Sequence, residues 1–235
     1  MADAFDFYPC LVDGEPASIY VNLGFEHEQP AGADMLYRIE IGMRDAGSHG
    51  AGTADEADVL NAFEEAAIAA LEAHRLVYAG RVRSRGVWEI VFYGPAGQLV
   101  HVKALGAPGL RPIEVRERDD RTWQYYRELL LPDAERQQWM DDRRLVQILE
   151  EQGDRLVTPR RVDHWIDVAG DQREAFVARA VALGFAVDET TETSVQVHRV
   201  DPIELEHIHE VVMSLVDAAN ACGGAYDGWE TSIER

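Results

Sequence analysis

One order of predicted elements, strand, helix, strand, strand, helix, strand, occurs twice along this chain of 235 residues. Apolar residues alternate with polar ones in the predicted strands and recur at helical spacing between them. The order runs first over residues 36–116. Within this range, residues 98–105 fit either a helix or a strand, and the order is repeated if they form a helix. It runs again over residues 161–234. Such an order builds an antiparallel sheet with two helices on one face, so the sequence predicts an α+β protein of two tandem ferredoxin-like (βαββαβ) units.

A charged helical stretch separates the two predicted units. It begins at Pro132 and runs to Gln152, and Gly153 follows it where a helix-ending glycine is expected. We therefore predict a domain over residues 1–131, a connecting helix over 132–152 and a second domain over 153–235.

The net charge restricts the partners that the chain can bind. The chain has 43 acidic and 22 basic residues, a formal net charge of −21, and residues 162–235 alone have 15 acidic and 4 basic residues. A negative field repels nucleic-acid phosphates and anionic lipids and attracts cationic surfaces. We therefore expect no nucleic acid and no membrane as partners, and a basic, arginine-rich protein segment instead. The alternative is an acidic surface that serves only solubility.

Localisation and bound groups follow from what the sequence contains. Cys10 and Cys222 are the two cysteines, which predicts free thiols in a reducing compartment. The first six residues do not resemble a signal peptide, so a cytoplasmic protein is expected. His207 and His209 lie two positions apart on a predicted helix and point in different directions, so they cannot chelate one metal. No phosphate-binding, nucleophile-elbow or zinc motif is present in the sequence, and we predict neither a cofactor nor a metal site.

Acidic and aromatic residues are predicted to share one face of the second sheet. On the strand that starts at Arg161, residues 163, 165 and 167 share one parity, and His164 shares the other with apolar residues that face the helices. The neighbouring strand adds residue 198, and the closing strand adds either 226 with 230 or 227 with 229. Carboxylates pair with arginine and aromatic rings stack on it. The predicted partner-binding residues are Asp163, Trp165, Asp167, His198, Tyr226, Asp227, Trp229 and Glu230.

The carboxy-terminal part resembles a known family over residues 139–235. The segments that carry the resemblance are Arg143-Arg144-Leu145-Val146, Gly153-Asp154, Pro159-Arg160-Arg161-Val162-Asp163-His164-Trp165, Gly184-Phe185 and Tyr226-Asp227-Gly228-Trp229. They resemble the family called regulator of ribonuclease E activity B. The resemblance implies a ferredoxin-like fold and a regulator that does no chemistry itself. It also implies binding to the basic scaffold region of the endoribonuclease that starts bacterial messenger decay. This binding lowers the activity of that enzyme.

The amino-terminal part is similar to the domain of unknown function 695. The similarity rests on Phe92-Tyr93, on Asp120-Arg121-Thr122-Trp123-Gln124-Tyr125-Tyr126 and on Leu130-Leu131-Pro132. This family name implies no activity. Two alternatives to a regulator therefore stay open from the sequence. One is an enzyme with a carboxylate and histidine site between the two domains, and the other is a homo-oligomeric module, for example a homodimer, whose sheets pack on each other.

Overall fold

The computed structural model of the protein describes residues 3–106 and 108–234. The chain folds into two compact units, Met1–Arg136 and Gln137–Arg235, and each contains one antiparallel sheet with helices. The α+β class predicted from the sequence is therefore confirmed. In the part of the chain that is described, no helix has both the length and the apolar character that a membrane span requires.

The amino-terminal unit contains a six-stranded sheet and two helices. Its strands follow the order β1-β2-β4-β5-β3-β6 across the sheet, and every neighbouring pair is antiparallel. The elements are β1 (Phe5–Val12), β2 (Glu15–Asn22), β3 (Met35–Gly42), α1 (Ala54–Glu72), β4 (Val77–Ser84), β5 (Val87–Gly94), α2 (Leu99–Lys103) and β6 (Ile113–Asp119).

This sheet is larger than the four-stranded sheet that the order of elements over residues 36–116 predicts. The hairpin of β1 and β2 pairs with β4 and extends the sheet at that edge. Asp13 and Gly14 connect the two strands, both with positive φ, as two-residue hairpin turns require. Residues 99–103 form a helix, so the helical interpretation of the ambiguous segment is correct.

Both faces of the amino-terminal sheet are covered. Helix α1 buries Leu60 and Leu71 against the face that carries Ile39. On the opposite face, residues after β6 form a π-helical turn, Tyr126–Leu130, preceded by the buried Trp123. The Trp123 ring stacks on Tyr93 with 3.9 Å between ring centroids. Little of the central part of this sheet is therefore left to bind a partner.

The carboxy-terminal unit contains a four-stranded sheet with the order β10-β7-β9-β8. All neighbouring strands are antiparallel, and the helices lie on one face of the sheet, where they share one hydrophobic core with it. The elements are α3 (Ala134–Glu151), β7 (Arg160–Asp167), α4 (Arg173–Ala182), β8 (Ala186–Thr190), β9 (Ser194–Asp201), α5 (Leu205–Asn220) and β10 (Ala225–Thr231).

Helix α3 occupies most of the predicted connecting segment, but it is more than a connector. Val146 and Leu149 of this helix are buried in the same core as Ile166 of β7 and Ile208 of α5. The division between the two units falls within the helix, after Arg136. Most of α3 is thus a third helix of the carboxy-terminal unit.

The predicted core of this unit is largely correct, with one exception. Helical spacing in the sequence predicts seven core residues, and all of them except Val181 lie in the core or pack against it: Phe176, Val177, Val181, Leu205, Ile208, Val212 and Leu215. Val181 is 55% exposed, so its predicted burial is wrong. The buried stripe of α4 passes through Phe176 and Ala180, and Val181 lies about 100° further around the helix axis.

A histidine is completely buried in this apolar core. His164 lies on the helix-facing side of β7, and its Nδ1 atom is 2.8 Å from the hydroxyl oxygen of Tyr226. Its Nε2 atom is buried and has no hydrogen-bond partner among the described residues. Burial disfavours the charged form and lowers the pKa of His164 from 6.5 to about 4. The histidine is thus a neutral core residue, as its strand parity suggests.

We expect Leu215→Ala to lower the free energy of unfolding of the carboxy-terminal unit by about 2 to 5 kcal/mol, since it leaves a cavity in the core. Val181→Ala removes less volume from an exposed position and should change that free energy by less than about 0.5 kcal/mol. Urea titrations followed through the methyl signals of Ile166 and Ile208 report on this unit alone. Equal effects of the two substitutions would contradict the packing of α5 described above.

We also expect the stability of the carboxy-terminal unit to fall in acid because of His164. The unfolded chain binds a proton at this position below pH 6.5, whereas the folded chain binds it only near pH 4. The free energy of unfolding should therefore decrease by about 3 kcal/mol as the pH falls from 6.5 to 4. His164→Gln can still hydrogen-bond to Tyr226 but does not titrate, whereas the carboxyl groups of the unit titrate in both proteins. The same urea titration should therefore show a decrease that is about 3 kcal/mol larger in the wild type than in the variant.

Candidate functional site

The carboxy-terminal sheet has one face that points away from its helices, and we call it the open face. Val162, His164 and Ile166 of β7 are buried on the helix side, so the residues between them lie on the open face. The pairing register and the side-chain contacts show which residues of the other three strands lie on the same face. The polar and aromatic side chains of the open face are Arg161, Asp163, Trp165 and Asp167 on β7, Gln196 and His198 on β9, Asp188 and Glu189 on β8, and Glu230 on β10.

A β-bulge in β10 changes which residues of the closing strand reach the open face. Tyr226 pairs with Ile166 and Gly228 pairs with Trp165, so Asp227 is an extra residue between them. The bulge reverses the alternation of side chains along the strand. As a result Tyr226 and Trp229 both point to the helix side, and neither of the two predicted pairs, 226 with 230 or 227 with 229, occurs.

Tyr226 and Trp229 therefore belong to the interior, and their predicted place on a binding face is corrected. Trp229 is buried, and its indole Nε1 donates a hydrogen bond to Asp142 of α3 at 3.0 Å. His209 of α5 bonds to the same carboxylate at 2.8 Å. Burial raises the pKa of Asp142, and the hydrogen bonds from its neighbours oppose this. These groups connect α3, α5 and β10.

An arginine near the start of β7 bonds to two carboxylates of the open face. The Arg161 guanidinium donates to both carboxylate oxygens of Asp163, at 2.6 Å to Oδ1 from Nη2 and 3.0 Å to Oδ2 from Nε, and it also bonds to Asp188. Gln196 donates to Asp163 at 3.2 Å, and His198 bonds to Asp188 at 2.7 Å. The hydrogen bonds from Arg161 hold the pKa of the Asp163 carboxyl below its ordinary value and raise the pKa of Arg161.

Within residues 3–106 and 108–234, three of these side chains form a group with metal-ligand spacing. One ligand atom each from Asp163, Asp188 and His198 can be chosen so that all three lie within 4.8 Å of one another. Carboxylate and imidazole ligands suit several divalent ions. However, the Arg161 guanidinium already bonds to both carboxylates and supplies the positive charge that an ion would bring. We therefore interpret this cluster as an ion-pair network centred on arginine.

Around this network the open face carries carboxylates that are not paired with a basic side chain among the described residues. Asp167, Glu189 and Glu230 are exposed, and within residues 3–106 and 108–234 no ion pair or side-chain hydrogen bond involves them. Trp165 is half-buried and lies between Gln196 on β9 and Gly228 on β10. Gly228 has φ of +141°, and it adds no side chain at the position that pairs with Trp165.

The structure thus places five of the eight predicted residues on the open face and a sixth beside it. Asp163, Trp165, Asp167, His198 and Glu230 lie on it, and the exposed Asp227 lies in the bulge at its edge. The sequence prediction did not include Arg161 and Asp188. Arg161 has the same strand parity as Asp163, a signal that was available, whereas Asp188 reaches the face at a register shift in β8.

The comparisons with known protein families match both parts of the chain. The model described as Regulator of ribonuclease activity B matches residues 139–231, which include most of α3 and the whole carboxy-terminal sheet. The model described as Family of unknown function (DUF695) matches residues 3–131. No curated protein matches the chain. Since the second match spans more than half of its residues, the chain belongs to the family of unknown function DUF695, and a segment that matches the ribonuclease-regulator family follows that domain.

Proposed function

We propose that the protein is a non-enzymatic regulator that binds a basic segment of a ribonuclease E-type endoribonuclease through the open face and modulates messenger decay. The family match over residues 139–231 supports a regulator of ribonuclease activity. The partner segment and the absence of catalysis are our inference from the chemistry of the open face.

The proposal includes the fold and its division into domains. We propose that both parts are ferredoxin-like units, with domains over residues 1–131 and 153–235, and that the helix over 132–152 links them and also packs in the core of the second. In support, the order β10-β7-β9-β8 places the fourth, first, third and second strands of a βαββαβ run side by side. Strands β6, β3, β5 and β4 follow the same order within the amino-terminal sheet.

One observation above all supports recognition of arginine: the open face already holds a guanidinium. Asp163 receives hydrogen bonds from two nitrogens of Arg161, in the forked geometry that matches a carboxylate to arginine. The exposed carboxylates of Asp167 and Glu230 lie on the same face and have no such partner among the described residues. They are the groups that an incoming arginine would meet.

Trp165 adds an anchor between these acids. Its ring is half-buried and flanked by a glycine, so a planar guanidinium or an apolar side chain can pack on it. Tryptophans of this kind contribute a large share of the binding free energy in many interfaces. The open face is also a solvent-exposed sheet surface, which suits a macromolecular partner better than a small substrate that needs an enclosing pocket.

We expect a synthetic arginine-rich peptide from the scaffold region of the endoribonuclease to bind the full chain in calorimetric titrations. Trp165→Ala should weaken binding by about tenfold or more, because it removes the central anchor. Asp167→Asn combined with Glu230→Gln should weaken it by about three- to tenfold. The double variant should also flatten the dependence of affinity on salt, because two screened attractions are gone.

Asp217→Asn is the matched control, since Asp217 is an exposed acid on α5, on the helix side of the unit. It should leave affinity within about twofold of the wild type. We avoid Asp163 as a test position because its replacement would also release the Arg161 guanidinium. Binding that is insensitive to salt and survives all these substitutions would place the interface elsewhere. No binding to any cationic scaffold peptide would reject the proposed partner.

A further inference from the structure

The amino-terminal unit contains a cavity of about 600 Å³. It lies between α1 and the strands β1, β2 and β4, beside the hairpin that extends the sheet. A volume of this size is typical of sites for small molecules. The cavity is formed entirely by the DUF695-family part of the chain, to which no activity has been assigned above, and it is independent of the open face.

Aromatic rings form one side of this cavity. Phe5 stacks on Tyr20 with 5.2 Å between ring centroids and an angle of 15°, and it lies 5.5 Å from Tyr78. All three rings line the cavity, and Phe5 is 36% exposed. An exposed aromatic residue beside a cavity offers a surface on which a flat apolar group or a cation can pack.

Acidic side chains form the other side. One stripe of α1 lines the cavity and includes Glu65, Ile68 and Glu72, and both of these glutamates are exposed. Asp3 and Glu64 also line it. Glu64 is buried and already accepts hydrogen bonds from Tyr78 at 2.5 Å and from Trp88 at 2.7 Å, which keeps it in a structural role. Glu65 and Glu72 are the carboxylates that a ligand could reach.

Among the described residues, one basic side chain lines the cavity, and it is not available to an anion. Arg81 lies over the rings of Tyr20 and Trp88, at 5.1 and 4.5 Å from their centroids. Its guanidinium donates to Asn61 at 2.7 Å and forms an ion pair with Glu64 at 3.4 Å. Four acids against this one engaged arginine give the cavity a negative field.

We propose that this cavity binds an organic cation, an ammonium group attached to an aromatic or apolar group. The apolar part packs on Phe5, Tyr78 and Ile68, and the ammonium faces Glu65 and Glu72. The negative field and the aromatic surface act together, because each favours a cation and neither favours an anion. Binding here does not depend on the function proposed for the carboxy-terminal unit.

The test compares three probes with the same ring and different charge: phenethylammonium, 2-phenylethanol and 3-phenylpropionate. Each is titrated into the isotope-labelled full chain, and amide chemical shifts are followed by NMR. We expect phenethylammonium to bind most tightly and to shift the signals of Phe5, Tyr20 and Tyr78. Its affinity should fall as salt is raised, whereas that of the alcohol should not.

Glu65→Gln combined with Glu72→Gln removes two charges from exposed positions, so the fold should be retained. We expect it to weaken phenethylammonium by about three- to tenfold and to leave the alcohol unchanged. Asp58→Asn is the matched control, because Asp58 is an exposed acid of α1 that does not line the cavity. Phe5→Ala should weaken both the ammonium and the alcohol. Equal affinity for all three probes, an affinity unaffected by the double variant, or shifts confined to other residues would each overturn the proposal.

Discussion

The carboxy-terminal unit depends on one irregularity, the extra residue at Asp227 in β10. A regular strand would place Tyr226 and Trp229 on opposite faces of the sheet. The bulge turns both rings to the helix side, where Trp229 donates to Asp142 of α3 and Tyr226 bonds to His164 of β7. A helix that looks like a connector in the sequence is thereby fixed to the sheet by a buried carboxylate. Removal of either partner would leave a buried polar group without its hydrogen bond, which is costly.

The two units use similar sheets in different ways. The amino-terminal sheet is covered on both sides, by α1 and by the residues around Trp123 and Tyr126, and its accessible feature is the cavity beside the β1 and β2 hairpin. The carboxy-terminal sheet has helices on one side and a charged face on the other. A cavity suits small ligands, and a flat charged face suits extended partners. The binding proposals made above for the two halves differ for this reason.

Strand and helix periodicity predicted most of the elements, because each buries one face and periodicity reports on burial. Strand β1 escaped prediction although Asp13-Gly14 is a strong hairpin signal. The inward orientation of Trp229 could not be predicted in the same way, since a bulge is set by the pairing of two strands that lie far apart in sequence. The same limit applies to Asp188, which reaches the Arg161 network at a register shift in β8. Parity alone did place Asp163, Trp165 and Asp167 on one face, because β7 is regular throughout.

The bulge also affects how the tetrapeptide from Tyr226 to Trp229 should be interpreted when it is met in other chains. Its two rings point into the interior, its glycine has a backbone conformation that side chains rarely adopt, and only Asp227 is exposed. The motif therefore indicates a bulged closing strand whose two rings are in the interior. It gives little information about the partner that a chain binds. The open-face residues for which we propose a binding role, such as Trp165 and Glu230, lie outside the motif. Two proteins that share the tetrapeptide can thus share an architecture and still recognise different partners.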